Sequence, residues 1–472
     1  METLVVIAFI LLVVSIVVAY APQWWIGAVI FITFASLPTF VPAQIHVAGF
    51  GVYIHEVPLF LAALYLFINR PSNRPTDWCC AGILAITAAG VVIGVLNGND
   101  VRATANDVRG LLAVALSVFI VGRISSTPQA QVALQAVKIT LWVSFGFILL
   151  SLWGIVNLNV HSEDASLTGR AFHGMAGVER ILGPTTLLAS ATVAISMALW
   201  AISPDLSRRT IGYFVPALGI MIAGYSRNAL VVAPVTLLLA PLFHRSLPTV
   251  GRPQRHGAML RAVFITTAGI AVFALIGVVL FLTAGIPELD GLRLIYAAYT
   301  NRVVDGFGSI AQHYDYSVLY RQGEILWLKS AIPGHELIGN GFGFRYRPPF
   351  GVGYTATSGT YYAHEFYWWA IAKVGWCGLF GYMITFVAPV AHAFFARGRF
   401  ALRSAAGAAI VAYLITNIVV PVPEDVYGAP MFGALLGVAL LVRDPKPTGG
   451  TSDAVVSDSQ LPFRPRAHVA DS

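Results

Sequence analysis

The sequence predicts an all-α polytopic membrane protein of about twelve or thirteen transmembrane helices, with one large extracytoplasmic helical loop. Three observations predict it. Hydrophobic residues make up 57% of the 472 positions and charged residues only 11%, against about 25% charged in an ordinary soluble domain. Apolar runs close to the ~20 residues that cross a ~30 Å hydrocarbon core recur along most of the chain. Arginines fall in alternate short connections, the pattern of the positive-inside rule.

Spans are expected near 2 to 20, 24 to 40, 50 to 68, 78 to 96, 109 to 122, 132 to 154, 181 to 201, 210 to 224, 227 to 243, 261 to 284, 364 to 395, 402 to 420 and 427 to 442. Only Met1, Glu2 and Thr3 precede the first run. It therefore lacks the cationic start of a secretory signal, shows no small-residue cleavage site, and is expected to stay as a membrane helix. The connections holding Arg70 and Arg74, Arg123, Arg208 and Arg209, Arg245 to Arg261, and Arg397 to Arg403 are expected to be cytoplasmic. Segments 97–108, 156–180, 285–362 and 421–426 then face outward. Thirteen spans put the N-terminus outside and twelve put it inside.

Residues 1–443 form one membrane-embedded domain in this reading, and 444–472, rich in Pro, Gly, Ser and Asp, form a disordered cytoplasmic tail. No heptads, soluble-domain repeat or internal duplication stand out. The net charge of +7 reflects topology and contact with anionic lipid, and a nucleic-acid partner is not expected. Cys79, Cys80 and Cys377 all fall within spans, where cysteine acts as a small buried apolar residue, so they imply neither disulfides nor a metal site.

The outward segment from Gly285 to Tyr362 is too long for a connector. Its periodic pieces RLIYAAYTNRVVDGF and SVLYRQGEILWLKSAI favour short helices lying over the membrane face. In the second piece Trp327 and Leu328 read as a buried helix face, and Arg321 is as compatible with a solvated pair to Glu324 as with a binding role. The run GNGFG lacks the Lys-Ser/Thr of a P-loop and reads as a turn at Gly339, Gly341 and Gly343. Glu288 and Asp290 form a weak acidic pair with no third metal ligand.

Outward loops hold most of the polar chemistry: Arg102, Arg109, His161, Glu163, Asp164, Arg170, His173, Glu179, Arg180 and Arg227. Arginines outside run against the positive-inside rule and call for an anionic partner. Arg227 stands beside Ser226 and Asn228 at the start of an apolar run, where unpaired N–H groups and a forked cation suit a phosphate; a snorkelling interfacial arginine is the plainer alternative. His364 opens the run HEFYWWAIAKVGW. On a helix it shares a face with Tyr367, Trp368 and Ile371 at the outer membrane boundary, where aromatics are also ordinary anchors. An ionisable group at that depth is functional by default. Glu365 either orients it, caps the helix or does neither. His55, His335 and His364 each precede a glutamate, but the residues four further on are Leu59, Gly339 and Trp368, so none forms the HExxH of a zinc protease. No GxSxG elbow occurs either.

Taken in order, these residues resemble the O-antigen ligase and polymerase family of polytopic glycan transferases. The resemblance covers roughly residues 50 to 443. It rests on Arg180, Gly183 and Pro184 in ERILGPTTLLA, where Thr185 replaces the family's Asn. It rests also on Ser226 and Arg227, on Arg321, Trp327, Pro333, Gly339 and Gly341, and on His364, Gly375 and Gly378. Glu365 stands where the family usually carries Asn.

The resemblance implies transfer of a glycan from a polyprenyl diphosphate carrier to an acceptor hydroxyl at the outer face of the cytoplasmic membrane, with inversion. It implies His364 as the general base, and Arg227, Arg321 and Arg180 on the diphosphate in place of a metal. Glu365, Ser226 and Tyr361 are implied as supporting residues. No cofactor or metal is expected. The expected partners are the lipid-linked donor, a glycan or lipid acceptor, membrane lipid, and export or chain-length proteins. Ligase and polymerase share this donor chemistry. A transporter or flippase for a lipid-linked or anionic solute is the rival, with the same arginines lining a path, and a non-catalytic scaffold leaves the outer Arg and His set unexplained.

Overall fold

The computed structural model describes residues 24–47, 50–125, 128–164, 179–244, 254–283, 285–300, 316–347, 362–396 and 400–441. The expected first span, Tyr361 and the tail lie outside the described residues. The described chain is helical apart from two short antiparallel hairpins. Five helices are long and apolar enough to cross a membrane: Arg74–Leu96, Pro128–Leu152, Thr185–Ile202, Gly257–Leu282 and Phe366–Phe395.

In chain order the elements are α1 (Trp25–Phe34), β1 (Gln44–Val47), β2 (Phe50–Tyr53), α2 (Glu56–Asn69), α3 (Arg74–Leu96), α4 (Val101–Ile124), α5 (Pro128–Leu152), β3 (His161–Asp164) and β4 (Glu179–Leu182). There follow α6 (Thr185–Ile202), α7 (Ser207–Ala223), α8 (Arg227–Phe243), α9 (Gln254–Leu282), α10 (Asp290–Tyr299), α11 (Tyr316–Ser330), α12 (Phe366–Phe395), α13 (Ala401–Thr416) and α14 (Gly428–Ala439). Every expected span within the described residues contains a helix. The differences sit at the ends. The span expected over 24–40 stops at Phe34 because Pro38 and Pro42 follow, and the one expected from residue 50 starts at Glu56 because residues 50–53 pair with 44–47. These hairpins are the departure from an all-α chain.

α6, α8, α13 and α14 form the centre of the bundle, and α12 packs against α3 and α13. α4 and α14 meet through Gly433 and Gly437: a Cβ at Gly433 would lie 2.3 Å from the Val114 carbonyl oxygen, and one at Gly437 2.7 Å from the Val121 Cβ. Small residues four apart let the two backbones close in, the usual packing device where lipid removes the hydrophobic drive between helices. α9 instead exposes Phe264, Ile270, Leu275 and Phe281, a surface suited to lipid. Cys79 and Cys80 are buried, but Cys377 is exposed, contrary to expectation, because it lies on the face of α12 that points away from the bundle.

Among the described residues, Arg70, Arg123, Arg261 and Arg403, all expected to be cytoplasmic, gather at one end. Arg123 pairs with Asp77 at 3.0 Å and donates to the Arg70 carbonyl; Arg403 donates to the Leu441 and Ala396 carbonyls, and Arg261 to that of Ala201. The Ser404 hydroxyl meets the Phe243 carbonyl at 3.3 Å at this same end. Since α8 and α13 lie side by side, Arg227 stands at the opposite end with Asn417.

The segment after α11 turns into the bundle and breaks α12. Gly375, at φ +66, interrupts that helix. Four backbone groups flanking the break are taken up by the segment before it. The Ala372 and Lys373 carbonyls accept from the Asn340 and Gly341 amides at 3.0 and 2.7 Å, and the Trp376 and Cys377 amides donate to the Glu336 and Leu337 carbonyls at 2.8 and 3.0 Å. Irregular backbone at membrane depth is tolerated only when satisfied in this way. Below the turn, Lys373 and Asp107, fully buried, pair at 2.6 Å, with the Gly343 amide donating to the same carboxylate oxygen. The expected turn at 339–343 is therefore also the plug that closes the broken helix.

Candidate functional site

His364 does not begin a helix. α12 starts at Phe366, with Glu365 extended before it (φ −118, ψ 109), so the expected face shared with Tyr367, Trp368 and Ile371 does not form. The cause is Glu324 on α11. Its Oε2 accepts from the His364 backbone amide at 3.2 Å and lies 2.8 Å from Nδ1 of the same residue. The imidazole sits edge-on to the rings of Tyr320 and Tyr362, at 5.8 and 5.5 Å between centroids.

Glu324 is 2% exposed, and such a buried carboxylate requires partners. Its Oε1 lies 3.4 Å from the Arg347 guanidinium and 3.4 Å from the Tyr346 hydroxyl. Arg347 also bonds the Tyr320 hydroxyl and stacks over that ring, and Tyr346 donates to the Tyr362 carbonyl at 2.6 Å. A carboxylate only accepts, so its bond to neutral imidazole fixes the proton on Nδ1 and leaves Nε2 as the basic nitrogen. The His364 side chain is 32% exposed while Glu324 beneath it is closed off. This is a histidine oriented by a buried, charge-compensated glutamate and open on its other side.

The loop between α13 and α14 holds the histidine segment from below. The Asn417 carbonyl accepts from the Phe366 amide at 3.1 Å, and the Glu424 carboxyl accepts from the Ala363 backbone. Burial, followed by the nearby Asp107 carboxyl, pushes the Glu424 pKa well above the usual carboxylate range. Glu365 is raised to about 7, chiefly by burial, with Lys329 working in the opposite direction and Glu324 adding to the rise. Lys329 itself lies over the Trp368 ring at 4.6 Å.

The structure brings several expected residues to this end of the bundle. Arg321 is within electrostatic reach of Tyr362 and Glu365. Arg227 is the first residue of α8, and its N-cap Ser226 makes no side-chain cap bond, which leaves the hydroxyl free of that role. The preceding Tyr225 has φ +42 and packs against Tyr299 of α10. Arg180 lies in β4 opposite Glu163, just before α6. The α6 start adjoins the Arg227 end of the bundle, since a Cβ at Gly224 would meet Thr186 at 3.2 Å. Tyr361 falls outside the described residues. Arg109 pairs with Glu56 at 3.4 Å and donates to the Gly51 carbonyl, and Arg345 pairs with Asp100 at 2.6 Å.

Sequence reasoning missed Glu324 as the partner of the histidine, and with it Tyr346, Arg347 and Glu424. A signal for Glu324 exists. Tyr320, Glu324 and Leu328 recur every four residues in SVLYRQGEILWLKS, one helix face, and Glu324 and Leu328 are both buried. A carboxylate on the buried stripe of an amphipathic helix asks for a cationic or imidazole partner. Trp327, expected on that face with Leu328, is 46% exposed, because neighbours in a helix point about 100° apart.

Compared with known proteins, the chain matches no family model and no curated sequence.

Proposed function

We propose that this protein is a polyprenyl-diphosphate-dependent glycosyltransferase of the O-antigen ligase or polymerase type, acting at the outer face of the cytoplasmic membrane. By the positive-inside rule the arginine-rich end of the bundle is cytoplasmic, which turns the His364 end outward. The observation that carries the reading is the His364–Glu324 pair, a base with its tautomer set by a buried carboxylate, at the same end as Arg227 and Arg321.

In this reading His364 Nε2 takes the proton of the acceptor hydroxyl as its oxygen attacks the anomeric carbon. The bond from that carbon to the diphosphate oxygen breaks, and its electron pair leaves with the polyprenyl diphosphate. Attack from the face opposite the leaving group inverts the centre. A positioned general base contributes about 10²–10⁴ in rate. Arg227, Arg321 and Arg180, with the Ser226 hydroxyl and the open N-terminus of α8, bind the diphosphate and stabilise the charge that develops as it departs. Glu365 and Tyr361 are supporting groups beside the base.

A transporter for a lipid-linked or anionic solute is the second reading, and the break in α12 favours it, since discontinuous helices build transport sites. There the freed backbone groups face the ligand, whereas at Gly375 they bond to residues 336–341. This ranks transfer first. The test is turnover by the purified protein. Polyprenyl diphosphate released from a lipid-linked glycan, dependent on an acceptor and lost in His364→Ala, supports transfer; an undiminished rate in His364→Ala removes it.

A further inference from the structure

At the end of the bundle away from His364, α5 and α7 bring together three cations that the chain itself does not pair. α7 starts at this end, six residues after Ala201, whose carbonyl accepts from Arg261. A Cβ at Gly212 would lie 2.9 Å from Lys138 Cε and 3.1 Å from its Nζ, and one at Gly219 would meet the Phe145 ring. Both steps are seven residues, so α5 and α7 run in the same direction, and Gly212 leaves a slot in which the Lys138 stem crosses α7. Arg208 and Arg209 stand four and three residues before Gly212 and flank that face one turn nearer the helix start. All three side chains are exposed. Among the described residues none of them pairs with a carboxylate, and the nearby Asp205 pairs with none of them.

A second feature marks the depth. Pro216 has no N–H, so the Gly212 carbonyl four residues before it has no helical donor. The Trp142 indole, one turn beyond Lys138 on α5, donates to that carbonyl at 2.9 Å. The ring is pinned there while 44% exposed, the placement of an indole at a membrane interface. Ile211 and Val215 are exposed as well and share one stripe of α7 with Arg208. Arg208 lies four residues from Gly212, about 6 Å along the axis, so the cations and the apolar stripe meet within the depth of one headgroup.

Like charges held this close repel unless an anion joins them. By the positive-inside rule this end faces the cytoplasm, where the leaflet carries anionic lipid. A soluble anion answers the cations but leaves the pinned indole and the apolar stripe unexplained. A phospholipid matches both.

We propose that the α5–α7 face is a binding site for one anionic phospholipid of the cytoplasmic leaflet. Its phosphate accepts from Lys138 and Arg208, with Arg209 beside them, and its glycerol and first acyl carbons lie on Trp142, Ile211 and Val215. The site does not depend on whether the bundle transfers or transports.

The test is native mass spectrometry of the full chain in neutral detergent, titrated with phosphatidylglycerol and, separately, with phosphatidylcholine of the same chain length. One phosphatidylglycerol is expected to bind ahead of all others, and phosphatidylcholine about tenfold more weakly. Lys138→Met keeps the stem and removes the charge, and should weaken that first lipid about tenfold, the worth of a charge-assisted bond. Arg208→Gln carries the same expectation. Gly212→Ala keeps every charge but fills the slot and pushes the ammonium aside, so it too should weaken the first lipid. Arg74→Gln removes an exposed charge from α3 at the same end and should leave that lipid bound as in wild type. Unfolding temperatures in detergent alone show which variants are folded. Undiminished binding in the folded lysine or arginine variant, or an equal loss in Arg74→Gln, overturns the proposal and leaves only diffuse attraction of lipid to a positive end. Full displacement by glycerol phosphate overturns it too, since the site would then be one for a soluble anion.

Discussion

Glu324 grips His364 twice, through the backbone amide at 3.2 Å and through Nδ1 at 2.8 Å. The two bonds do different things. The first stops α12 at Phe366 and turns the histidine out of the helix, and the second sets the tautomer. Glu324→Gln keeps an amide oxygen near the backbone N–H but removes the charge that favours Nδ1–H. Transfer is expected to fall by about 10²–10⁴ with membrane levels unchanged. Turnover and protein level measured on the same preparation check it, and unaltered turnover would show the pair to be structural only.

Lys373 and Asp107 are expected to govern stability. Removing one partner leaves an uncompensated buried charge, at about 3–5 kcal/mol. Lys373→Met alone and Asp107→Asn alone should each lower the unfolding temperature in detergent sharply. The double replacement by Met and Leu should recover much of the loss, because two apolar side chains strand no charge.

Two glycines at positive φ separate two kinds of strain. Gly98 has φ +70 with nothing near its missing Cβ, whereas Gly341 has φ +81 and a Cβ there would lie 2.1 Å from the Gly94 nitrogen. Gly98→Ala is expected to cost about 1–2 kcal/mol, the left-handed penalty alone. Gly341→Ala should cost more than about 3 kcal/mol, as the plug must move off α3. Thermal unfolding of both variants makes the comparison, and equal losses would contradict this placement of the turn.

Glu365 gives a pH signature. Its pKa rises from 4.5 to about 7 on folding, so the native state holds a proton that the unfolded chain releases. The stabilisation is complete below pH 4.5 and fades as pH climbs through about 7. Glu365→Gln keeps the neutral form at all pH. Its unfolding temperature should therefore gain on wild type between pH 5 and pH 8, and parallel curves would place the carboxyl in an ordinary aqueous setting.

The membrane helices were legible because apolar length and arginine placement are local signals, and α8 begins and ends where they put it, at Arg227 and Phe243. The hairpins were not, since QIHV and FGVY are short apolar pieces whose pairing depends on the turn between them. His364 and Arg227 stood out as ionisable residues at span ends, and Arg321 as a cation in the long outward segment. Glu324 and Arg347 did not, because their meaning lies in each other: the two are 23 positions apart in the sequence, and only the fold brings Arg347 to the carboxylate that holds His364. The break at Gly375 was hidden for a similar reason, as its freed carbonyls are answered by Asn340 and Gly341 from another segment.

The most direct measurement is the level and sidedness of carrier-linked glycan in cells lacking this protein, complemented at matched membrane levels with wild type, His364→Ala or Arg227→Ala. Accumulation on the outer leaflet, cleared by wild type and by neither variant, is the predicted result, and product length then separates polymerase from ligase. Normal product from both variants, or accumulation on the inner leaflet, would contradict the account and leave transport as the function of this bundle.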